Sequence, residues 1–112
     1  MLRATACNCT ICRRYGALWI YGSAGIDATV AGPSKAYSRG PTIDYHFCPT
    51  CGCLTHYIAK RPEEDGTTKL VVNIRMADDP DAVAALPIDH FDGLHTFTDL
   101  PRDGRSVVDM WF

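Results

Sequence analysis

The stretch Cys7-Asn8-Cys9-Thr10-Ile11-Cys12 places three cysteines within six positions near the start of a 112-residue chain. Cysteines this close rarely bridge one another, because a disulfide needs a specific Cα separation and torsion angle. A turn instead brings the sulfur atoms of Cys7, Cys9 and Cys12, the first cluster, to a common point about 2.3 Å from a zinc ion. Three thiolates leave one tetrahedral position open, as in catalytic zinc sites, whereas a fourth ligand would make the site structural.

The second cluster is Cys48-Pro49-Thr50-Cys51-Gly52-Cys53, and its Cys48-x2-Cys51 spacing is that of a zinc knuckle. Gly52 permits the tight turn in which backbone amides face the sulfur atoms. Spacing alone leaves two arrangements open: the first cluster is an open site of its own, or a cysteine of the second cluster closes it. Buried structural thiols and an iron–sulfur cluster are the alternatives to zinc. We predict Zn²⁺ as the cofactor, with Cys7, Cys9, Cys12, Cys48 and Cys51 as its ligands.

Composition restricts the class of protein. With 46% hydrophobic and 21% charged residues, positions 1–112 are expected to form one globular domain. A net charge of -2 argues against nucleic acid as a partner, and the lack of a long apolar run argues against a membrane span. The first residues do not resemble a signal peptide, so we expect a cytoplasmic protein with reduced thiols rather than a disulfide framework.

The rest of the sequence predicts a mostly β fold with one or two short helices. Runs rich in β-branched and aromatic residues between Gly and Pro punctuation indicate strands at 17–21, 36–38, 43–47, 55–58 and 69–74. A short helical turn is expected after Cys9, ending at Gly16. A second helix is expected over 79–86, because Asp79 is a good cap and Pro80 suits the first helical position.

Three thiolates on Zn²⁺ give a complex of charge about -1, which activates water poorly but exchanges thiol ligands readily. The first cluster therefore indicates thiol chemistry rather than hydrolysis. Arg13 and Arg14 follow it directly, where they could offset its negative charge or hold a substrate carboxylate. A solvated basic turn is the alternative interpretation for either arginine.

These residues resemble the glutathione-dependent formaldehyde-activating enzyme family, which includes centromere protein V. The resemblance rests on four stretches that together span most of the chain: 7–17, 46–52, Val72-Asn73-Ile74-Arg75 and His90-Phe91-Asp92-Gly93. It implies small coiled β-sheets around two zinc sites. It also implies a carbon–sulfur lyase that condenses formaldehyde with glutathione to S-hydroxymethylglutathione, and catalyses the reverse reaction.

The resemblance also implies roles for individual cysteines. Cys7, Cys9 and Cys12 match the family's catalytic three-thiolate site, and Cys48 and Cys51 match half of its structural site. Cys53 is not a usual ligand. Family members complete the structural site with a Cys-x-Cys pair on an N-terminal hairpin, which this sequence does not show. We therefore expect an open sheet edge that invites a homodimer.

The expected reaction joins a small-molecule thiol, such as glutathione, to an aldehyde. His46, His56, His90 and Tyr45 are the side chains of a type that could donate the required proton. His90 also has a plain structural interpretation, as part of a turn. The substrate-binding candidates are Arg13, Arg14 and His46, and further cations for the carboxylates of glutathione are Arg39, Lys60, Arg61 and Arg75. The alternative function is a non-catalytic, zinc-stabilised protein-interaction module.

Overall fold

The computed structural model describes residues 2–111, which contain eight strands and one α-helix. In chain order they are β1 (Ala4–Cys7), α1 (Thr10–Tyr15), β2 (Leu18–Ser23), β3 (Lys35–Ser38), β4 (Ile43–Phe47), β5 (Leu54–Ala59), β6 (Lys69–Asn73), β7 (Ile88–Asp92) and β8 (Thr98–Leu100). Short 3-10 helices span Ile74–Met76, Pro80–Ala82 and Val107–Met110. The predicted class, mostly β with one or two short helices, is confirmed. No helix within residues 2–111 is both long and apolar enough to cross a membrane.

The described residues divide into two compact units. The first unit combines residues 2–20 with 73–111, and the second comprises residues 21–72. The chain passes from the first unit to the second within β2 and returns near the end of β6. That the whole chain is one domain stays a prediction.

In the first unit, the strands are ordered β2-β1-β7-β8. β1 pairs antiparallel with β2 and parallel with β7, so that Cys7 lies opposite Phe91. This parallel pairing brings the residues that follow β7 beside those that follow β1. The core includes Leu18, Trp19 and Ile88, which are almost fully buried.

The helix α1 is short and closely capped. Cys9 has an extended backbone and its sulfur accepts the N–H of Cys12, as an N-cap side chain does. Gly16 ends the helix with φ 62°, a left-handed conformation that glycine adopts without steric cost. The turn predicted after Cys9 is therefore confirmed, together with its end at Gly16.

In the second unit, β3, β4, β5 and β6 follow one another as antiparallel neighbours. Tyr45 lies opposite Tyr57 and His46 opposite His56, and all the strands predicted in this part of the chain are present. The register shifts between His46 and Phe47, just before the second cluster. This cluster occupies the connection from β4 to β5.

The helix predicted over 79–86 is wrong. Only Pro80–Ala82 is helical, as a single 3-10 turn, and the N–H of Leu86 bonds to the carbonyl of Val83. The capping prediction holds, since the Asp79 side chain accepts the N–H of Asp81. Helix nucleation is costly, and this run buries none of its residues to offset that cost, whereas the shorter α1 buries Ile11 and Cys12. Three strands were not predicted: β1, β7 and β8, of which β7 contains His90.

Candidate metal centre

The first cluster is assembled by local backbone geometry. Cys7 ends β1, Cys9 caps α1, and Cys12 lies in the first turn of that helix. The three Sγ atoms all lie within 4.8 Å of one another. Tetrahedral zinc with 2.3 Å bonds needs sulfur–sulfur separations of about 3.8 Å, so small side-chain movements would suffice. The donor set therefore fits a metal ion that takes thiolate ligands.

Each sulfur of the first cluster accepts an N–H group. The N–H of Cys9 points to Cys7 Sγ at 3.4 Å, and the N–H of Cys12 to Cys9 Sγ at 3.5 Å. The buried indole Nε1 of Trp19 donates to Cys12 Sγ at 3.2 Å. Such donors stabilise negative charge on a sulfur atom and fix the position of that atom. Residues around the ligands of a metal commonly have this role.

A hydrogen bond between Cys7 and Cys12 shifts the pKa values of both thiols. A hydrogen bond from Cys12 is the main cause that lowers the pKa of Cys7 to about 5, against an opposing effect of burial. The same hydrogen bond, with burial, raises the pKa of Cys12. Without a metal, this hydrogen bond favours negative charge on Cys7 and the proton on Cys12. A metal that binds all three sulfurs must displace such protons.

A loop after β7 closes over the first cluster. Asp92 is buried, and its carboxylate accepts Asn8 Nδ2 at 3.0 Å and the N–H of His95 at 3.1 Å. The Asn8 side chain in turn accepts the N–H of Leu94 at 3.0 Å. A Cβ atom placed on Gly93 would lie 2.7 Å from Cys7 Sγ. The loop therefore approaches the sulfur so closely that no side chain fits at position 93.

A pocket of about 290 Å³ opens beside the first cluster. Cys7 and Cys12 line it, together with Arg13, Arg75 and His90. Apolar side chains, including Leu18 and Phe91, supply much of the remaining wall. The described wall contains no Asp or Glu, and its arginines are Arg13 and Arg75.

Two side chains of this pocket are held by neighbours. The guanidinium of Arg75 lies over Gly16, where a Cβ atom would be 3.9 Å from Nε, and it donates to the carbonyl oxygen of Met110. His90 Nε2 is buried and lies 3.1 Å from the Asp103 carboxylate, in an orientation that does not form a hydrogen bond. The pKa of Asp103 is lowered, first by the N–H and side chain of Arg105 and then by His90.

The second cluster forms the tight turn that its spacing predicts. The N–H of Gly52 bonds to the Cys48 carbonyl at 2.8 Å, and Gly52 has a left-handed φ of 75°. N–H groups of Cys51 and Thr50 lower the pKa of Cys48. Cys51 and Cys53 are exposed and Cys48 is half-buried. Within residues 2–111, these thiols join no group of three potential metal ligands as compact as the first cluster.

The structure places the other predicted site residues in different surroundings. Arg13 lines the pocket beside the first cluster, whereas the exposed Arg14 is not among its lining residues. His46 lies in the second unit, where its Nδ1 is 2.8 Å from Ser34 Oγ and its ring stacks on His56 at 4.5 Å. Of the four proposed proton donors, His90 alone belongs to the described wall of this pocket.

Four residues around the first cluster were not predicted to act there: Asn8, Trp19, Asp92 and Gly93. Trp19 is a large aromatic residue in a predicted strand, and it is buried in the core. Its indole N–H also donates a hydrogen bond to Cys12 Sγ. The other three act through the contact between the segments after β1 and β7. A glycine directly after Asp92 was the available signal, although a turn explains it equally well.

Comparison with known proteins adds little to this geometry. No family model matches the chain, and no curated protein matches it. A crystal structure of a Rhodobacter sphaeroides protein is similar, with a TM-score of 0.48 and 24% sequence identity over 76% of this chain and 79% of that one. Similarity at this level supports no functional argument. Any function must therefore be argued from the cysteines and the pocket.

Proposed function

We propose that Cys7, Cys9 and Cys12 bind a zinc ion and that this centre joins a small-molecule thiol to an aldehyde, as a carbon–sulfur lyase of the formaldehyde-activating type. One observation carries the proposal: the three sulfurs lie close to one another, and two of the cysteines, Cys7 and Cys12, line a pocket. Three protein ligands leave a tetrahedral position for a substrate. The family resemblance of the cysteine motifs supports the same activity.

The residues present suit zinc. Thiolates are soft ligands, and a set of three with N–H donors to sulfur favours a four-coordinate ion such as Zn²⁺. When bound, zinc keeps thiol ligands deprotonated at neutral pH. We propose that Cys48 and Cys51 supply half of a second, structural zinc site, which the knuckle geometry of their turn supports.

The proposed reaction is balanced without an oxidant or reductant. The sulfur of the substrate thiolate forms a bond to the carbonyl carbon, and the carbonyl π electrons move to oxygen. A proton then converts the alkoxide to a hydroxyl group, which completes the hemithioacetal. We assign the proton to His90 because it is the imidazole in the described pocket wall. Leu18 and Phe91 are apolar residues of the same wall.

A non-catalytic metal module is the second candidate. Its support is the depth of the first cluster in the first unit: Cys12 is 5% exposed and bonded to the core residue Trp19. A metal at such a place would stabilise the fold whether or not it reacts. The two candidates differ in whether a substrate thiol reaches the metal.

Cys9→Ser tests the proposal, with Cys53→Ser as the matched control that removes an exposed thiol of the second unit. Zinc content is measured by mass spectrometry, and condensation of ¹³C-formaldehyde with glutathione and with smaller thiols by NMR, after subtraction of the spontaneous rate. We expect Cys9→Ser to lose zinc from the first cluster and the catalysed rate, while Cys53→Ser keeps both. Zinc-loaded protein with no catalysed rate for any thiol tried would instead favour the structural module.

A further inference from the structure

The pocket beside the first cluster has the electrostatics of an anion site. Arg13 and Arg75 belong to its wall with His90, and no carboxylate of the described residues does. A bound metal with three thiolates carries a charge of only about -1, which two guanidinium groups outweigh. The surplus positive charge favours a ligand that binds as an anion.

Arg75 is the better placed of the two arginines. Its guanidinium lies over Gly16, at the end of the helix that contains Cys12. Gly16 is four positions after Cys12, which corresponds to about 6 Å along the helix axis. Met110 accepts one hydrogen bond from Arg75, and guanidinium has five N–H donors, so a pair remains for a carboxylate. Arg75 can thus hold a charged group within a few bonds of a sulfur that binds near Cys12.

The size of the pocket restricts the rest of the ligand. Pockets that enclose drug-sized molecules range from about 300 to 1,000 Å³, and this one measures about 290 Å³. A thiol with one carboxylate on a short carbon spacer has far fewer atoms to place in this volume than the tripeptide glutathione. Leu18 and Phe91 offer apolar contacts to such a spacer.

From these observations, which rest on the proposed function, we infer that the preferred thiol is a compact mercapto-carboxylate, and that Arg75 is the specificity-determining residue that binds its carboxylate. Arg75 touches the substrate away from the reacting atoms. Its role is recognition, whereas the cysteines and His90 serve the chemistry.

The test measures affinities of cobalt(II)-substituted protein for four thiols, through changes in its visible absorption. The probes are 3-mercaptopropionate, the neutral 2-mercaptoethanol, the cationic cysteamine, and glutathione. A charge-assisted guanidinium–carboxylate pair predicts binding of 3-mercaptopropionate about tenfold tighter than that of 2-mercaptoethanol. Arg75→Gln should remove this preference and leave 2-mercaptoethanol unchanged, Arg75→Lys should keep part of it, and Arg14→Gln, the matched control, should keep it all.

A second readout needs neither metal nor thiol. In metal-free protein, propionate should shift the Nε–Hε resonance of Arg75 more than propanol does. Equal affinities for charged and neutral thiols, or glutathione bound as tightly as 3-mercaptopropionate, would overturn the inference and leave the proposed function standing. If no thiol perturbs the cobalt spectrum, the proposed function fails. The propionate titration then tests only whether Arg75 binds a carboxylate. A shift larger with propionate than with propanol supports that binding, and equal shifts contradict it.

Discussion

At the scale of single residues, the first cluster divides into what neighbours in sequence determine and what distant residues determine. The spacing of Cys7, Cys9 and Cys12 was enough to predict that their sulfurs converge, because one turn and one helix cap bring them together. Gly93 could not be recognised in this way. Position 93 must be a glycine because two segments some 86 residues apart in sequence are in contact, as the Asn8–Leu94 hydrogen bond illustrates.

Gly93→Ala should damage the metal centre by steric contact alone. The new Cβ atom would lie 2.7 Å from Cys7 Sγ and 3.0 Å from Cys9 Cβ, so either the loop or the sulfur must move. Mutation of the residues that contact a metal's ligands commonly lowers metal affinity by about 10–100-fold. We therefore expect Gly93→Ala to lose zinc affinity by at least roughly tenfold. Competition with a chromogenic chelator measures it.

Gly104→Ala is the control for this substitution. Gly104 has φ 80° and no atom within 4 Å of a Cβ placed on it, so alanine strains the backbone without touching a sulfur. Its cost is about 1–2 kcal/mol of stability, with unchanged zinc affinity. Equal affinities in Gly93→Ala and the unmodified protein would show that the loop does not press on Cys7.

At the scale of secondary-structure elements, the sequence predicted the strands of the second unit and missed β1, β7 and β8 of the first. Ile43–Phe47 alternates apolar and polar residues, and its strand has those bounds. β7 lacks this alternation, because Asp89 and His90 are consecutive polar residues, and the segment from His90 to Gly93 can be interpreted as part of a turn. Its partner β1 is parallel and distant in sequence, and such pairing leaves no local signal.

The carboxylate that ends β7 makes its loop sensitive to acid. The pKa of Asp92 is lowered to about 2, chiefly by the hydrogen bond from Asn8, with further help from N–H groups of Thr96 and His95. Because the folded pKa lies below the unfolded value of 3.8, Asp92 stabilises the fold above about pH 4. That contribution disappears as the pH falls from about 4 to 2.

Asp92→Asn should therefore lower Tm at neutral pH and flatten its decline between pH 4 and 2. Thermal unfolding followed by circular dichroism, at several pH values, measures both effects. Asp65→Asn is the matched control, since the pKa of Asp65 is also lowered, by Thr67, but the residue is exposed and belongs to the second unit. Parallel Tm curves for the unmodified protein and Asp92→Asn would contradict the role assigned to this carboxylate.

At the scale of the whole molecule, the two cysteine clusters belong to different compact units. Composition and cysteine spacing could predict neither the units nor which cluster belongs to which, because the first unit joins the two ends of the chain. Metal binding at one cluster should thus stabilise mainly its own unit. Ligand bound to the folded state alone contributes RT ln(1 + [L]/Kd), or about 2.7 kcal/mol at 100 times Kd.

Hydrogen exchange tests this division in the double variant Cys48→Ser/Cys51→Ser, where the first cluster is the thiol site left for zinc. Zinc at 100 times Kd should slow exchange about a hundredfold for amides of β1 and β7 that exchange only when their unit opens. Amides of β4 and β5 should change far less. The triple variant Cys7→Ser/Cys9→Ser/Cys12→Ser, which retains the second cluster, should show no slowing in β1 and β7. A similar slowing in all four strands of the double variant would mean that the units open together, and that zinc at the first cluster stabilises the entire chain.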